Sequence, residues 1–386
     1  MKHINLIEAV QITKNRIKPF SGNRSYLSTG DLLGREINDI VTIDYKTKPS
    51  RADLCVNVGD ILVARMRATN KVLLIDEKTK DLIVSTGFLT LSTKKGFDVR
   101  YIAHYLRSNI FQREKDKYCS GATQKAINNS AFQKLKLPYH PLDEQKTIVR
   151  ILDSVDNLRQ KRKLSSKLLN ELVRASFLTL FGDPIKNEKK WQTIVLKDIA
   201  NINRGRFSPR PRNDPSYYGG RYPFIQTGDI NNSRYRLKEW SQTLNDKGTK
   251  VSRQFNKGTV VIAIVGATIG ATAILEIDTY APDSVIGIDV DRKKATNTFI
   301  EYLLRFYKPI FVAQAPETAR ANINLETLRP LKIILPPLQQ QVKFSNIINA
   351  VEEIFKKLNR SETEIKNQFD ALIDKYFNEN AHDQRN

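Results

Sequence analysis

The sequence predicts an α+β fold: two domains of mixed α/β type, related by pseudo-twofold symmetry and separated by two long antiparallel helices that form a coiled coil. Three observations predict it. The chain repeats itself over nearly its whole length. Each half passes from short strand-like runs to a short helical segment. Each half then closes on a helical stretch of about 40 residues, roughly 60 Å at 1.5 Å per residue, which exceeds the width of one small domain.

The repeat is read from words that recur in order. "YLSTGDLLG" at Tyr26–Gly34 resembles "FIQTGDINN" at Phe224–Asn232, with Thr29 and Thr227 198 positions apart. "NVGDILVARMRATNK" from Asn57 resembles "NKGTVVIAIVGATIG" from Asn256 at an offset of 199. "FQKLKLPYHPLDEQKTIVRILDSVDNL" from Phe132 resembles "LRPLKIILPPLQQQVKFSNIINAVEEI" from Leu328 at an offset of 196. Constant order with nearly constant offset indicates tandem duplication.

The elements follow in chain order. Residues 1–141 form the first domain, with strand runs "DILVAR", "KVLLID" and "LIVSTGFLTL" rich in β-branched residues. The segment "VRYIAHYLRSNIFQREK" is helical. Residues 142–181 form the first spacer helix, with Pro141 where a helix tolerates proline at its first turn. Residues 182–191 are a Gly/Pro-containing charged linker that opens the second domain, 182–337. Its strands are "TVVIAIV", "TAILEID" and "SVIGIDV", and its short helix is "TFIEYLLRFYKPIF". Residues 338–378 form the second spacer helix behind Pro337, and 379–386 a polar tail.

Apolar residues on both long helices recur at three and four, the spacing of a coiled-coil seam. In the first they are Ile151, Val155, Leu158, Leu169 and Leu172, interrupted by Arg162 and Ser165. In the second they are Ile347, Val351, Ile354, Leu358, Ile365, Phe369 and Leu372. The run "GTVVIAIVGATIGATAIL" (Gly258–Leu275) carries no charge over eighteen residues, at the short end for a membrane span. Its counterpart carries Arg65, Arg67 and Lys71, which a bilayer core accepts only at high cost. The run therefore reads as two buried strands joined by a tight turn at Gly266–Gly270, with no membrane partner.

Lys and Arg number 63 against 41 Asp and Glu, a formal charge of +22. That excess points to a polyanion, nucleic acid first. Two similar basic heads on a fixed spacer suit duplex DNA, whose backbone is itself twofold symmetric, read at two separated half-sites. Two cysteines make no disulfide framework, and the N-terminus lacks the pattern of a signal peptide, so a cytoplasmic location is expected. The four histidines are scattered, and no Cys/His spacing resembles a zinc site. Gly266 to Gly270 lacks the spacing and the lysine of a phosphate loop. The acids of "DPIKNEKK" lie too close together for a nuclease site. No catalytic residue, metal ligand or resident cofactor is expected.

The words "TGDL" and "TGDI", "GDILVAR" with "GTVVIAI", "GATQKAIN" at Gly121–Asn128, "HPLDEQKTIVRILD", "PPLQQQVKFSNIIN" and "FGDPIKNEKKWQTIVLKDIANINRG" resemble the specificity subunits of type I restriction–modification enzymes. The resemblance covers essentially all 386 residues. Two departures stand out. Gln340 replaces the family's usual Glu, present as Glu144, and the first half lacks a match to "RPRNDPSYYGG". The resemblance implies a non-catalytic DNA-reading subunit that binds two modification subunits and assembles with restriction/translocase subunits. S-adenosylmethionine, ATP and Mg would then belong to those partners. A stand-alone tandem-repeat DNA-binding regulator is the alternative.

Candidate DNA contacts in the first half are Arg16, Arg24, Arg65, Arg67, Thr69, Lys71, Gln124 and Lys125. In the second they are Arg204, Arg206, Arg210, Arg212, Arg221, Arg234, Arg236, Thr268 and Arg320. Arginine can read guanine bidentately and glutamine adenine, while at least half of such residues should meet phosphates.

Overall fold

The computed structural model describes residues 2–313 and 323–378. The chain divides into two compact units, one of Met1–Leu164 with Asn359–Asn386, the other of Ser165–Leu358. The division falls within both long helices, so each unit holds one mixed domain and a portion of each helix.

In the first unit the main sheet runs Val10–Thr13, Phe88–Thr93, Ile61–Ala64, Val72–Leu74, all neighbours antiparallel. In the second it runs Ala200–Arg204, Val285–Val290, Val260–Ala263, Thr272–Leu275, with Arg236–Leu237 added in parallel. Each unit adds a four-stranded sheet whose central pair is parallel: Arg24–Leu27 beside Ile83–Ser85, and Tyr218–Phe224 beside Thr279–Ala281. The topology is thus repeated as well as the sequence.

Strands Ile61–Ala64 and Val260–Ala263 are buried at every residue. Alternate side chains leave a strand on opposite faces. Ile61 and Val63 therefore join the core beneath the helices, while Leu62 and Ala64 join a second core. Val260 and Ile262 separate from Val261 and Ala263 in the same way. Covering both faces explains the uncharged run in Gly258–Leu275. Among the described residues no helix is long and apolar enough to cross a membrane.

The helices that matter here are α1 (Val99–Arg107), α2 (Asn109–Lys117), α3 (Leu142–Phe181), α4 (Asn297–Ala313) and α5 (Leu338–Phe377). One glutamine near the start of each long helix performs the same task in both copies. Gln145 is fully buried, accepts the Asp98 N–H at 2.9 Å and donates to the His140 carbonyl at 2.7 Å. Gln341 is fully buried, accepts the Thr296 N–H at 2.9 Å and donates to the Pro336 carbonyl at 2.8 Å. Each amide satisfies a backbone donor at the start of the short helix and a carbonyl just before the long one, a fully paired buried group. The departure at Gln340 sits one residue from this glutamine, whose position both copies keep.

The long helices run antiparallel. In the first unit the Arg159 guanidinium lies over the Phe369 ring at 5.1 Å, and Arg162 bonds Ser361. In the second, Phe177 meets Phe344 edge-on at 5.3 Å. The buried seam departs in places from the expected one by a single position. On α3 the buried apolar residues are Ile148, Val149, Leu152, Val173, Phe177 and Phe181, whereas Leu158 and Leu172 are 43% and 52% exposed. Ile151 and Val155 are half-buried, and Leu169 packs at the margin of the second unit's core. On α5 the series proceeds from Val351 to Phe355 and leaves Ile354 45% exposed, with Ile347 and Leu358 at its margin. Ile365 is buried, and Phe369 and Leu372 pack at the first unit's core. The cause is that each helix packs its start against one domain's core and its end against the other's, so the domain surfaces, and not a continuous helix–helix seam, select which residues are buried.

His104 on α1 is buried and bonds Asp153 of α3 at 2.8 Å, while Arg100 bonds the same carboxylate at 2.9 Å. Burial holds the His104 pKa below its ordinary value of 6.5, outweighing the Asp153 hydrogen bond. The unfolded chain therefore binds the proton more tightly, and this contribution to stability falls as pH drops below about 6.5. Thermal unfolding of the first unit should show the loss, and His104→Gln should flatten it.

Candidate nucleic-acid interface

In the first unit two loops come together that the sequence singles out separately. The turn Arg65–Lys71 joins the two strands Ile61–Ala64 and Val72–Leu74, and the "GATQKAIN" segment folds back beside it. The Arg67 N–H donates to the Lys125 carbonyl at 2.9 Å, and the Ile127 N–H to the Arg65 carbonyl at 2.9 Å. Gln124 donates to the Met66 sulfur. Arg67, Gln124 and Lys125 are exposed together at this edge. The Thr69 hydroxyl donates to the Met66 carbonyl at 2.5 Å, closing the turn. Lys71 donates to the Thr29 carbonyl at 2.6 Å, tying the turn to the "TGD" loop.

Arg65 behaves differently. Its guanidinium donates to the carbonyls of Phe88 at 3.2 Å and Ile127 at 3.3 Å, and burial lowers its pKa. It fastens the two loops to the sheet instead of presenting a charge. Arg16 is exposed beside Asp53, and Arg24 lies over the Phe20 ring at 5.4 Å.

The second unit repeats the loop edge. The Ile323 N–H donates to the Ile264 carbonyl at 3.1 Å, and Thr268 closes its turn on the Val265 carbonyl at 3.2 Å as Thr69 does on Met66. Gly266 and Gly270 hold φ of 67° and 75°, where side chains are strained. Gly270→Ala should cost more than about 1 kcal/mol, from this backbone conformation and from a Cβ that would stand 2.9 Å from Lys308 Cγ, measurable by denaturant unfolding. Arg320 lies outside the described residues.

Beside that turn, Arg204, Arg210, Arg212, Val265, Gly266, Asp283 and Ser284 line an open cavity of about 730 Å³. Arg212 donates to both oxygens of Asp283 at 2.7 Å, Arg210 lies 3.9 Å from the same carboxylate, and Arg204 donates to the Asp283 carbonyl at 2.5 Å. Gly205 makes this gathering possible: a Cβ there would stand 2.2 Å from the Pro282 carbonyl oxygen. Two guanidiniums facing one carboxylate, with a third on the backbone carbonyl of the same residue, leave net positive charge for an anion, and half-exposed arginines suit phosphate or guanine.

Four other arginines in the second half have different surroundings. Arg236 bonds Glu276 at 2.8 Å, Glu352 at 2.7 Å and Asn349 at 2.8 Å, so it joins the sheet to α5 and does not present its charge outward. Arg234 stacks on the Phe355 ring, 3.2 Å from its centroid. Arg206 donates to the carbonyls of Lys250 at 3.3 Å and Ser252 at 3.4 Å, and Arg221 lies exposed over Tyr222. The first unit has a matching tie, Arg35 to Asp156 of α3, and Asp156 and Glu352 share the 196-residue offset of the helices. Reading charge alone misses Arg35, Asp283, Gln145 and Gln341. Only the glutamines leave a signal, as a polar residue kept in both helix openings. Among the described residues no group of His, Cys, Asp or Glu is placed to hold a metal.

Known proteins resemble the chain over most of its length. A sequence model of the type I restriction modification DNA specificity domain matches residues 7–172 and again 188–367. A putative type I restriction enzyme MjaX specificity subunit of Methanocaldococcus jannaschii is 25% identical over 352 residues, 84% of this chain and 80% of that one. The MjaVIII specificity subunit of the same organism is 24% identical over 376 residues, covering 89% and 82%. The fold is similar to the type I restriction–modification S subunit from M. genitalium, with a TM-score of 0.60, 15% identity and coverage of 97% and 96%. It is also similar to a chain from a structure concerned with complex assembly and conformational transition of the type I R-M system, with a TM-score of 0.55, 19% identity and 97% of each chain covered.

Proposed function

Because this chain belongs to the type I restriction modification DNA specificity family and is a non-catalytic DNA-recognition subunit, we propose that it reads a bipartite target, one half-site per unit. The observation that carries this is the loop edge present in both units, Ile127 to Arg65 in one and Ile323 to Ile264 in the other. In the first unit Arg67, Gln124 and Lys125 meet the duplex; in the second, Arg204, Arg210 and Arg212 do so. Arg16, Arg24 and Arg221 are peripheral phosphate contacts. Thr69, Lys71 and Thr268 act by shaping the turns.

The partners are two methyltransferase subunits, which supply S-adenosylmethionine, and restriction/translocase subunits, which use ATP and Mg; the assembly works in the cytoplasm. The exposed Leu158, Leu172 and Ile354 of the long helices face such subunits. Exchanging residues 182–337 for the corresponding segment of another family member should change one half of the methylated motif, read by single-molecule sequencing of modified adenines. A change in both halves, or in neither, would sink the assignment of one half-site to each unit. Arg212→Ala should reduce the slope of log Kd against log salt by about one if it meets a phosphate.

A further inference from the structure

We propose that Lys115 and Asp116, at the end of α2, are positioning residues for the Arg65–Lys71 turn and thereby determine base selection by the first unit. The inference rests on the reading that this turn meets DNA.

Lys115 is completely buried directly behind the turn. Its ammonium donates to three main-chain carbonyls, those of Ala64 at 3.4 Å, Met66 at 3.1 Å and Thr69 at 2.8 Å. An ammonium has three donors, and three convergent carbonyls use them all. An apolar side chain would fill the same space without desolvating a charge. What the lysine adds is a fixed path for the backbone on both sides of Arg67. Asp116 holds the other side: its carboxylate accepts the Ala68 N–H at 3.2 and 3.0 Å. Ala68 stands at φ 56°, a conformation alanine adopts only when its surroundings impose it. Asp116 is also the carboxylate beside the buried ammonium, at 3.9 Å. The backbone that carries the exposed Arg67 is therefore held on both sides.

The second unit builds its turn differently, with left-handed residues at the positions that match Arg67 and Lys71 and not at the one that matches Ala68. Its turn has glycine at 266 and 270, both at positive φ, so its backbone needs no side chain to hold a left-handed residue. Loss of the Lys115 device should thus be felt in one unit only. Local unfolding of the first unit would weaken its binding to every sequence alike, whereas a misplaced turn in a folded unit keeps the phosphate contacts and loses discrimination between bases.

The test uses the full-length chain, purified with whatever subunits accompany it. Binding is selected from a library of duplexes randomised at two blocks separated by a variable spacer. The wild type should yield two half-sites. Lys115→Met should reduce discrimination between the best and next-best bases by about ten-fold at one half-site. The other half-site, and the slope of log Kd against log salt, should be unchanged, because Lys115 touches no phosphate. Retention of both half-sites by folded Lys115→Met would overturn the proposal, and so would equal loss of both. If Lys115→Met does not fold by circular dichroism, Asp116→Ala decides on the same criteria. A wild-type chain that selects no bipartite motif sinks the functional reading itself; two intact half-sites in the variant sink only the positioning role.

Discussion

Phe177→Ala is expected to lower the unfolding midpoint of the second unit by about 10 °C, from a loss of about 3–5 kcal/mol. The ring is fully buried where α3 crosses its domain. It contacts Phe181 at 4.9 Å, Phe306 at 4.9 Å, Phe344 at 5.3 Å and Phe299 at 5.9 Å between centroids. Removing it deletes contacts to α3, α4 and α5 together, and helices cannot close a hole bounded on three sides. The first unit has its own aromatic anchor: Phe377 lies 5.4 Å from both Tyr101 and Tyr105. Calorimetry should show Phe177→Ala lowering one transition and Phe377→Ala the other. One common shift from either change would show that the units unfold together.

Arg305→Met should cost about 3–5 kcal/mol, because it strands a buried carboxylate. Glu301 is 1% exposed and accepts from Arg305 at 2.8 Å and from Thr272 at 2.9 Å. Arg305 is itself sandwiched by Tyr235 at 4.8 Å and Tyr302 at 5.6 Å. Burial pushes the Glu301 pKa above its ordinary 4.5 even with the arginine present. The sign follows from that direction. The folded state holds the carboxyl proton more tightly than the unfolded chain, so the destabilisation grows as pH rises above 4.5 and fades as pH falls. The gap between variant and wild type should therefore narrow in acid. Glu301→Gln added to Arg305→Met should recover most of the loss at neutral pH. Persistence of the full gap below pH 4.5 would mean that lost arginine stacking, not the stranded charge, causes the defect.

Much of this fold is legible in the residues because repetition and periodicity survive without tertiary context. Pro141 and Pro337 mark helices that begin at Leu142 and Leu338, and Gly266–Gly270 marks a turn between two buried strands. Charge is much less legible. Arg236 and Arg212 look alike in sequence, yet one meets Glu276 and Glu352, distant along the chain, while the other lines an open cavity. Nothing local distinguishes a guanidinium that two distant glutamates draw into the junction of sheet and helix from one that stays half-exposed beside a single aspartate. The seam slips by one residue for a related reason. Ile354 and Phe355 are both apolar, and only the domain against which α5 packs selects the larger ring. The juxtaposition of the turn with the "GATQKAIN" segment depends on strand pairing across some sixty residues, as in the Met66–Ala126 bridge.

The division of the chain into units also carries a consequence for its synthesis. The second unit is one uninterrupted stretch, Ser165–Leu358, whereas the first needs Ile373 and Phe377 to complete a core begun at Leu6. A ribosome therefore delivers every residue of the later unit before it delivers the last core residues of the earlier one. The half made first waits, with the Tyr101 and Tyr105 surface uncovered, until the final helix emerges. Maturation runs against the direction of translation, and the nascent N-terminal half is the region with most need of a chaperone.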